Sequence, residues 1–149
     1  MKKLFFVFFI AILMLPVANL TAQEGFPLLS FDIGQSPRIA VTGGSALATD
    51  SVFGLNVRVA GPMIVSFTNY GATQFVKVKF DINQQLRAVL GYTGTATVAT
   101  AGLGFEIVPF RRVVNGLFTE FKLSPFYSFA STAVASGDLR FPLALSIGF

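Results

Sequence analysis

Apolar residues alternate with polar or small residues along most of this chain. The alternation is unbroken at the end of the sequence, where one parity is apolar: Leu139, Phe141, Leu143, Leu145, Ile147 and Phe149. Successive side chains of a β-strand point to opposite faces, so this segment is predicted to be a strand with one apolar face. Segments with the same period number eight: 29–42, 52–59, 63–70, 75–82, 86–94, 99–113, 117–129 and 139–149. An even number of strands is what a closed single-chain bacterial barrel requires.

The connections between these strands are predicted to alternate in length. Three are tight, at residues 60–62, 83–85 and 114–116. Four are longer and rich in small polar residues: 43–51, 71–74, 95–98 and 130–138. Short turns at one end and longer loops at the other are typical of outer-membrane barrels. A three-residue loop keeps the same parity on the same face across a hairpin, whereas a two-residue loop would reverse it.

The two faces differ sharply in charge. One carries apolar residues in every strand, and the other carries the charged ones: Asp32, Arg38, Arg58, Lys77, Lys79, Asp81, Arg87, Glu106, Arg112, Glu120, Lys122 and Arg140. Arg111, next to a turn, is the basic residue that breaks this rule. Parity alone does not say which face is inside. A soluble lipocalin-like barrel, secreted to bind a lipophilic ligand, would have its apolar face inward.

Composition favours the opposite arrangement, a membrane barrel with its charges in the lumen. Mean hydropathy is +0.69 and charged residues make up 12% of the chain, about half the usual share in soluble domains. The charged face is also rich in small residues such as Gly34, Gly54, Gly91, Gly102 and Gly104, which suit a narrow lumen better than a solvated surface. We therefore expect an all-β protein, an eight-stranded antiparallel up-and-down transmembrane barrel.

The N-terminus is predicted to be a signal peptide, residues 1–22, and the barrel to occupy residues 23–149. Lys2 and Lys3 precede an apolar run from Leu4 to Leu15, and a small residue, Ala22, precedes the expected cleavage point. The run is shorter than the roughly 20 residues of a spanning helix. No Cys is present for a disulfide in an exported protein. Once Lys2 and Lys3 are removed, the net positive charge is too small to indicate nucleic-acid binding.

The alternating pattern resembles that of the small eight-stranded outer-membrane barrels of the OmpX, OmpW and OmpA transmembrane types. The resemblance implies a location in the bacterial outer membrane, contact with its lipid, and both termini in the periplasm. It also implies that periplasmic chaperones and the barrel-assembly machinery act on the chain. The closing residues resemble the assembly signal of this class: Phe141, Leu143, Leu145, Ile147 and Phe149. The resemblance does not indicate an oligomeric state.

Candidate chemistry is confined to the charged face. The chain has no His and no Cys, so the general-base and metal sites that depend on them are not expected, and neither is a cofactor or an enzymatic activity. Charges in a narrow lumen should pair. The predicted lumen network comprises Asp32, Arg38, Arg58, Lys77, Lys79, Asp81, Arg87, Glu106, Glu120, Lys122 and Arg140. Within it, Asp81 is expected to pair with Arg87, and Glu106 with Lys122. A structural or surface-exposed envelope role is favoured, and a narrow conduit for small ions or apolar solutes, weakly preferring anions, is the alternative.

Overall fold

A computed structural model describes residues 27–40, 48–93, 100–130 and 133–149. The predicted signal peptide and the connection at 95–98 lie outside these ranges. The described residues form ten strand segments: β1 (Leu29–Ala40), β2 (Ala48–Ala60), β3 (Met63–Tyr70), β4 (Thr73–Asp81), β5 (Leu86–Thr93), β6 (Thr100–Val114), β7 (Leu117–Leu123), β8 (Phe126–Ala130), β9 (Ala133–Arg140) and β10 (Leu143–Gly148). In the described part of the chain, no helix is long and apolar enough to span a membrane.

The ten segments make a closed antiparallel barrel of eight strands, which confirms the predicted fold class. β7 and β8 both pair with β6 and form the two halves of the seventh strand. β9 and β10 are the two halves of the eighth strand, and both pair with β1. The barrel closes where Leu29 and Phe149 exchange backbone hydrogen bonds of 3.2 and 3.0 Å. Residue 29 and Phe149 therefore lie at the same end of the barrel as the turns at 61–62, 82–85 and 115–116, the turn end.

Two of the three tight connections are shorter than the sequence predicts. Gly61–Pro62 and Asn115–Gly116 are two-residue turns, since the flanking strands extend to Ala60 and to Val114. Asn115 and Gly116 have positive φ of 52° and 79°, as a type I′ hairpin requires. A two-residue turn alone would reverse the two faces of the next strand.

A register shift beside each of these turns restores the faces. In β2 the shift lies between Arg58 and Ala60, and in β6 it lies between Ile107 and Phe110. Each is an extra residue inserted in one strand, which changes its parity once. At these two hairpins the predicted conservation of faces therefore holds, but through turn plus bulge and not through a three-residue loop.

The expected alternation of short and long connections is wrong at residues 71–74. β3 extends to Tyr70 and β4 begins at Thr73, so this hairpin has a two-residue turn. Gly71 supplies the positive φ of 55°. Two of the other expected loops are shortened as well, because β2 begins at Ala48 and β9 at Ala133. Length alone therefore does not separate the two ends of this barrel.

The apolar face is the outside of the barrel, and the charged face is the lumen. Large apolar side chains are exposed all around the wall, among them Ile33, Phe53, Leu90, Tyr92, Leu103, Phe105, Phe121, Leu145 and Phe149. The interior holds polar and charged side chains that are at most 6% exposed, including Ser30, Asp32, Asn56, Arg58, Lys77, Lys79, Arg87, Glu106, Glu120, Lys122 and Arg140. This is the reverse of the lipocalin-like arrangement, in which the apolar face lines the cavity.

Three prolines interrupt the ladders on one side of the wall. Proline has no N–H, so each hydrogen-bonded pair that contains one makes a single bond instead of two. Phe105 donates to the carbonyl of Pro125, Ser124 to that of Pro142, and Phe141 to that of Pro37, at 2.9 to 3.0 Å. These positions separate β7 from β8 and β9 from β10. Each of three adjacent strand interfaces therefore contains one pair that makes a single hydrogen bond.

Candidate functional site: the lumen

Nine charged side chains form one connected ion-pair network near the turn end, here called the turn-end network. It has five bases and four acids: Arg58, Lys79, Arg87, Arg111, Lys122, Asp32, Asp81, Glu106 and Glu120. The residues come from β1, β2, β4, β5, β6 and β7, so the network ties most of the wall together. Ions so deeply buried are tolerated only when they are paired and hydrogen-bonded.

Glu106 lies at the centre of this network. Its two carboxylate oxygens accept from Lys79 Nζ and Arg87 Nη1, both at 2.6 Å, and Lys122 Nζ is 3.9 Å away. Both pairs expected from the sequence are present. Arg87 Nε donates to Asp81 Oδ1 at 2.6 Å, and Lys122 Nζ is within ion-pair distance of Glu106, although its shortest contact is with Asp32 Oδ1 at 3.0 Å.

A second and smaller network lies at the opposite end of the lumen. Here Arg38 and Arg140 are shared between Asp50 and Asp138, with N–O distances from 2.5 to 3.7 Å. The sequence assigned Asp50 and Asp138 to loops, but they lie in β2 and β9. With two charges of each sign, this loop-end network is neutral. The predicted lumen residues therefore do not form one network: all except Lys77 are divided between these two clusters.

The sequence assigned the two neighbouring arginines of β6 to the wrong faces. The bulge between Ile107 and Phe110 reverses the parity beyond it, so Arg111 lies opposite Glu120 and turns inward. Its guanidinium Nη2 is 2.7 Å from Glu120 Oε1. Arg112 lies opposite Thr119 and is exposed. The Asn-Gly pair at 115–116, a known signal for a two-residue hairpin, is the sequence feature that could have revealed this.

An aromatic layer separates the two networks, and sequence reasoning missed it. Tyr70, Phe75 and Phe126 are each at most 2% exposed and pack edge to face, with centroid distances of 5.9 Å and 5.4 Å. Val52 and Val89 complete the cluster. Tyr70 comes from the third strand and Phe126 from the seventh, which are opposite each other in an eight-stranded ring. The layer therefore crosses the whole lumen.

Lys77 is buried in this layer without a carboxylate. Its Nζ lies 4.5 Å from the ring centroid of Tyr70 and 4.3 Å from that of Phe126, and it donates to the Tyr70 hydroxyl. No ion pair to Lys77 is found among the described residues, whereas Lys79, one inward position away, contacts two acids. Cation–π attraction is strongest when the cation is desolvated, as it is here.

The residues of the predicted assembly signal lie on the outside of the eighth strand. Leu143, Leu145, Ile147 and Phe149 are between 39% and 61% exposed, and Phe141 is half-buried. The Phe149 ring lies 6.5 Å from that of Phe31. Their role in assembly remains a prediction. Within the described residues, no group of three or more acidic side chains is placed to hold a metal ion.

Comparison with family models, with curated proteins and with solved structures finds no match to this chain.

Replacing Gly102 by Ala is expected to destabilise the barrel by about 1–3 kcal/mol through overpacking. A Cβ at this position would lie 2.2 Å from Cζ of the Phe126 ring, which is held by the aromatic layer. Gly54→Ala is the matched control, because its Cβ would meet nothing closer than 3.2 Å. Urea unfolding in detergent, followed by circular dichroism because the chain has no Trp, measures both. Phe126→Leu should reduce the cost of Gly102→Ala, and equal costs with Phe or Leu at 126 would contradict this packing.

Proposed function

We propose that this protein is an integral outer-membrane barrel with a structural or surface-exposed envelope role and no enzymatic activity. One observation carries the proposal: the wall presents apolar side chains outward and keeps charged ones inside. In lipid the backbone must be satisfied within the protein, and a closed barrel achieves this. The arrangement supports a location in the outer membrane, with the turn end and the described termini on the periplasmic side.

The finer likeness to OmpX, OmpW and the OmpA transmembrane type belongs to the same proposal. It is supported by the number of strands, the antiparallel up-and-down order and the filled interior. With that likeness come the proposed partners, namely outer-membrane lipid and, during biogenesis, periplasmic chaperones and the barrel-assembly machinery.

The interior favours a structural role over a conduit. An eight-stranded barrel has room for little more than its own side chains. Here the aromatic layer of Tyr70, Phe75 and Phe126 crosses the lumen, and ion-pair networks fill it on both sides. Purified protein in planar bilayers should therefore be electrically silent. Stable unitary conductance would favour the conduit instead, and Lys77→Ala with Lys79→Ala would then test its anion preference.

Arginine at the middle of the outer face tests the membrane location. Leu90 and its cross-strand neighbour Leu103 are 57% and 52% exposed. Leu90→Arg is expected to cost about 2–4 kcal/mol, because a basic side chain would face lipid at mid-height. The readout is the amount of barrel in the outer-membrane fraction that shifts in mobility when boiled in SDS.

The control is Gln84→Arg, which adds the same charge in an exposed turn. It should leave both the fraction and the shift unchanged. If Leu90→Arg is as harmless as Gln84→Arg, and the protein is recovered without detergent, the outer face is in water and the proposal is wrong.

A further inference from the structure

Arg112 is the one charged residue of the described part of the chain that is exposed. Every other described charge is buried or half-buried. Arg111, its neighbour, turns into the lumen and pairs with Glu120, whereas Arg112 makes no hydrogen bond or ion pair with any described residue. The bulge in β6 that reverses the parity is the reason for this difference. Within the described ranges, the wall thus carries a single outward guanidinium, at its turn end.

The surroundings of Arg112 are apolar and continue the outer band of the barrel. Phe110 is 74% exposed, Val114 49% and Leu117 44%. Thr119 lies directly opposite Arg112 on β7, on the same face. A cation at the border of an apolar band has its alkyl stem against the band and its charged group beyond it. An anion that lies at the same border, within reach of a hydroxyl, would complement this pair.

We propose that Arg112, with the hydroxyl of Thr119, binds the phosphodiester of a membrane phospholipid at the turn end of the barrel. This inference rests on the proposed function, since it requires lipid around the wall. Phosphate oxygens accept two parallel bonds from one guanidinium fork, and Thr119 can add a third donor. The lipid thereby helps to fix the depth of the β6–β7 hairpin in the membrane.

The test measures the distance between the guanidinium carbon and lipid phosphorus. Full-length protein labelled with carbon-13 at arginine Cζ is reconstituted in vesicles of phosphatidylglycerol and phosphatidylcholine, and carbon–phosphorus dipolar dephasing is recorded. Wild-type protein should give dephasing of one arginine signal, and Arg112→Gln should abolish it. Arg38→Gln, which removes an arginine of the loop-end network, should leave it unchanged. Thr119→Val should weaken it without changing the fold.

A second measurement tests how strongly Arg112 binds phospholipid. Phospholipid retained by the detergent-purified barrel, counted by native mass spectrometry, should fall about fivefold in Arg112→Gln, as expected for one basic group at a lipid surface. Loss of dephasing and of retained lipid in Arg112→Gln, with the boiling shift intact, supports the assignment.

Two results would overturn the assignment while the membrane proposal stands. One is a wild-type barrel that inserts and shifts on boiling but shows no dephasing. The other is dephasing when inorganic phosphate is added to protein in a detergent that itself contains no phosphorus, together with no dephasing in the phospholipid vesicles. Failure of the protein to enter vesicles at all would overturn both proposals.

Discussion

Glu106→Gln is expected to lower the free energy of unfolding by about 3–5 kcal/mol, the usual cost of breaking a buried ion pair. The amide keeps the shape of the side chain but loses its charge. Lys79 and Arg87, both at 2.6 Å, and Lys122 at 3.9 Å would then face one another with less compensation. Asp32, Asp81 and Glu120 remain, so five bases would face three acids in the turn-end network. Urea unfolding in detergent, followed by circular dichroism, measures the loss.

The control for this prediction is Asp138→Asn, at the more exposed end of the lumen. Asp138→Asn also removes a carboxylate that is shared by two arginines, Arg38 and Arg140. The Asp138 side chain is 30% exposed, whereas that of Glu106 is 3% exposed. Water can therefore screen the loss at Asp138, and a cost below about 1 kcal/mol is expected there. Similar costs for the two variants would mean that burial does not set the strength of these pairs.

Glu106→Leu combined with Lys79→Met extends the argument. Replacing both members of a buried pair by apolar residues is often neutral or stabilising, because the desolvation of both ions is removed. The double variant should therefore be more stable than Glu106→Leu alone, although Arg87 still lacks its contact with Glu106 and keeps only those with Asp81 and Glu120. If the double variant is less stable than the single one, Lys79 contributes through contacts other than Glu106.

The second large effect is a contrast between two lysines that the sequence treats alike. Lys79→Met should cost about 3–5 kcal/mol, because it leaves Glu106 and Asp32 short of a cation. Lys77→Met should change stability by about 1 kcal/mol or less, since no acid pairs with Lys77 among the described residues and burial of an ion is itself unfavourable. The variant gains stability because no charge is buried at position 77, but it loses the contacts of Lys77 with the rings of Tyr70 and Phe126, which offsets part of that gain.

The two variants are well matched because both positions lie on β4, face inward and are 3% exposed. The measurement is the urea midpoint of each variant with an unchanged slope. Equal losses of stability in the two variants would show that the charge of Lys77 is stabilised by the combined electrostatic field of the turn-end network and not by its nearest neighbours. A changed slope for either would indicate that the lumen repacks.

Period-two alternation was sufficient to predict the barrel, because side-chain parity is a local property of an extended chain. It gave the number of strands, and it placed residues such as Lys79 and Glu120 on one face. It did not place Arg111 and Arg112, because a single bulge just before them, between Ile107 and Phe110, changes the parity and leaves almost no mark on composition. Two local signals lie nearby: Pro109 within the bulged stretch, and the Asn-Gly pair at 115–116, which signals the two-residue turn.

The pairing inside the lumen was predictable only where partners are close in sequence. Asp81 and Arg87 are six residues apart across one turn, and they meet. Lys122 and Asp32 are 90 apart, and their contact depends on how the barrel closes. Phe75 and Phe126 share parity with charged residues, so a rule based on charge assigned nothing to them. Their contact across the lumen depends on the order and tilt of the strands, and the alternation of side chains along one strand gives no information about either.

The proline positions divide the final closure of the barrel into two separate ladders. Below them, β10 and β1 form six register pairs, and above them β9 and β1 form three. Between the two, the pair of Phe141 and Pro37 contributes one bond. Pairing that starts at Leu29 and Phe149 therefore meets the singly bonded pair of Phe141 and Pro37 before it reaches the upper ladder. Cooperativity along the closing strand is interrupted at this pair, so the three upper pairs can open while the six lower pairs keep the barrel closed.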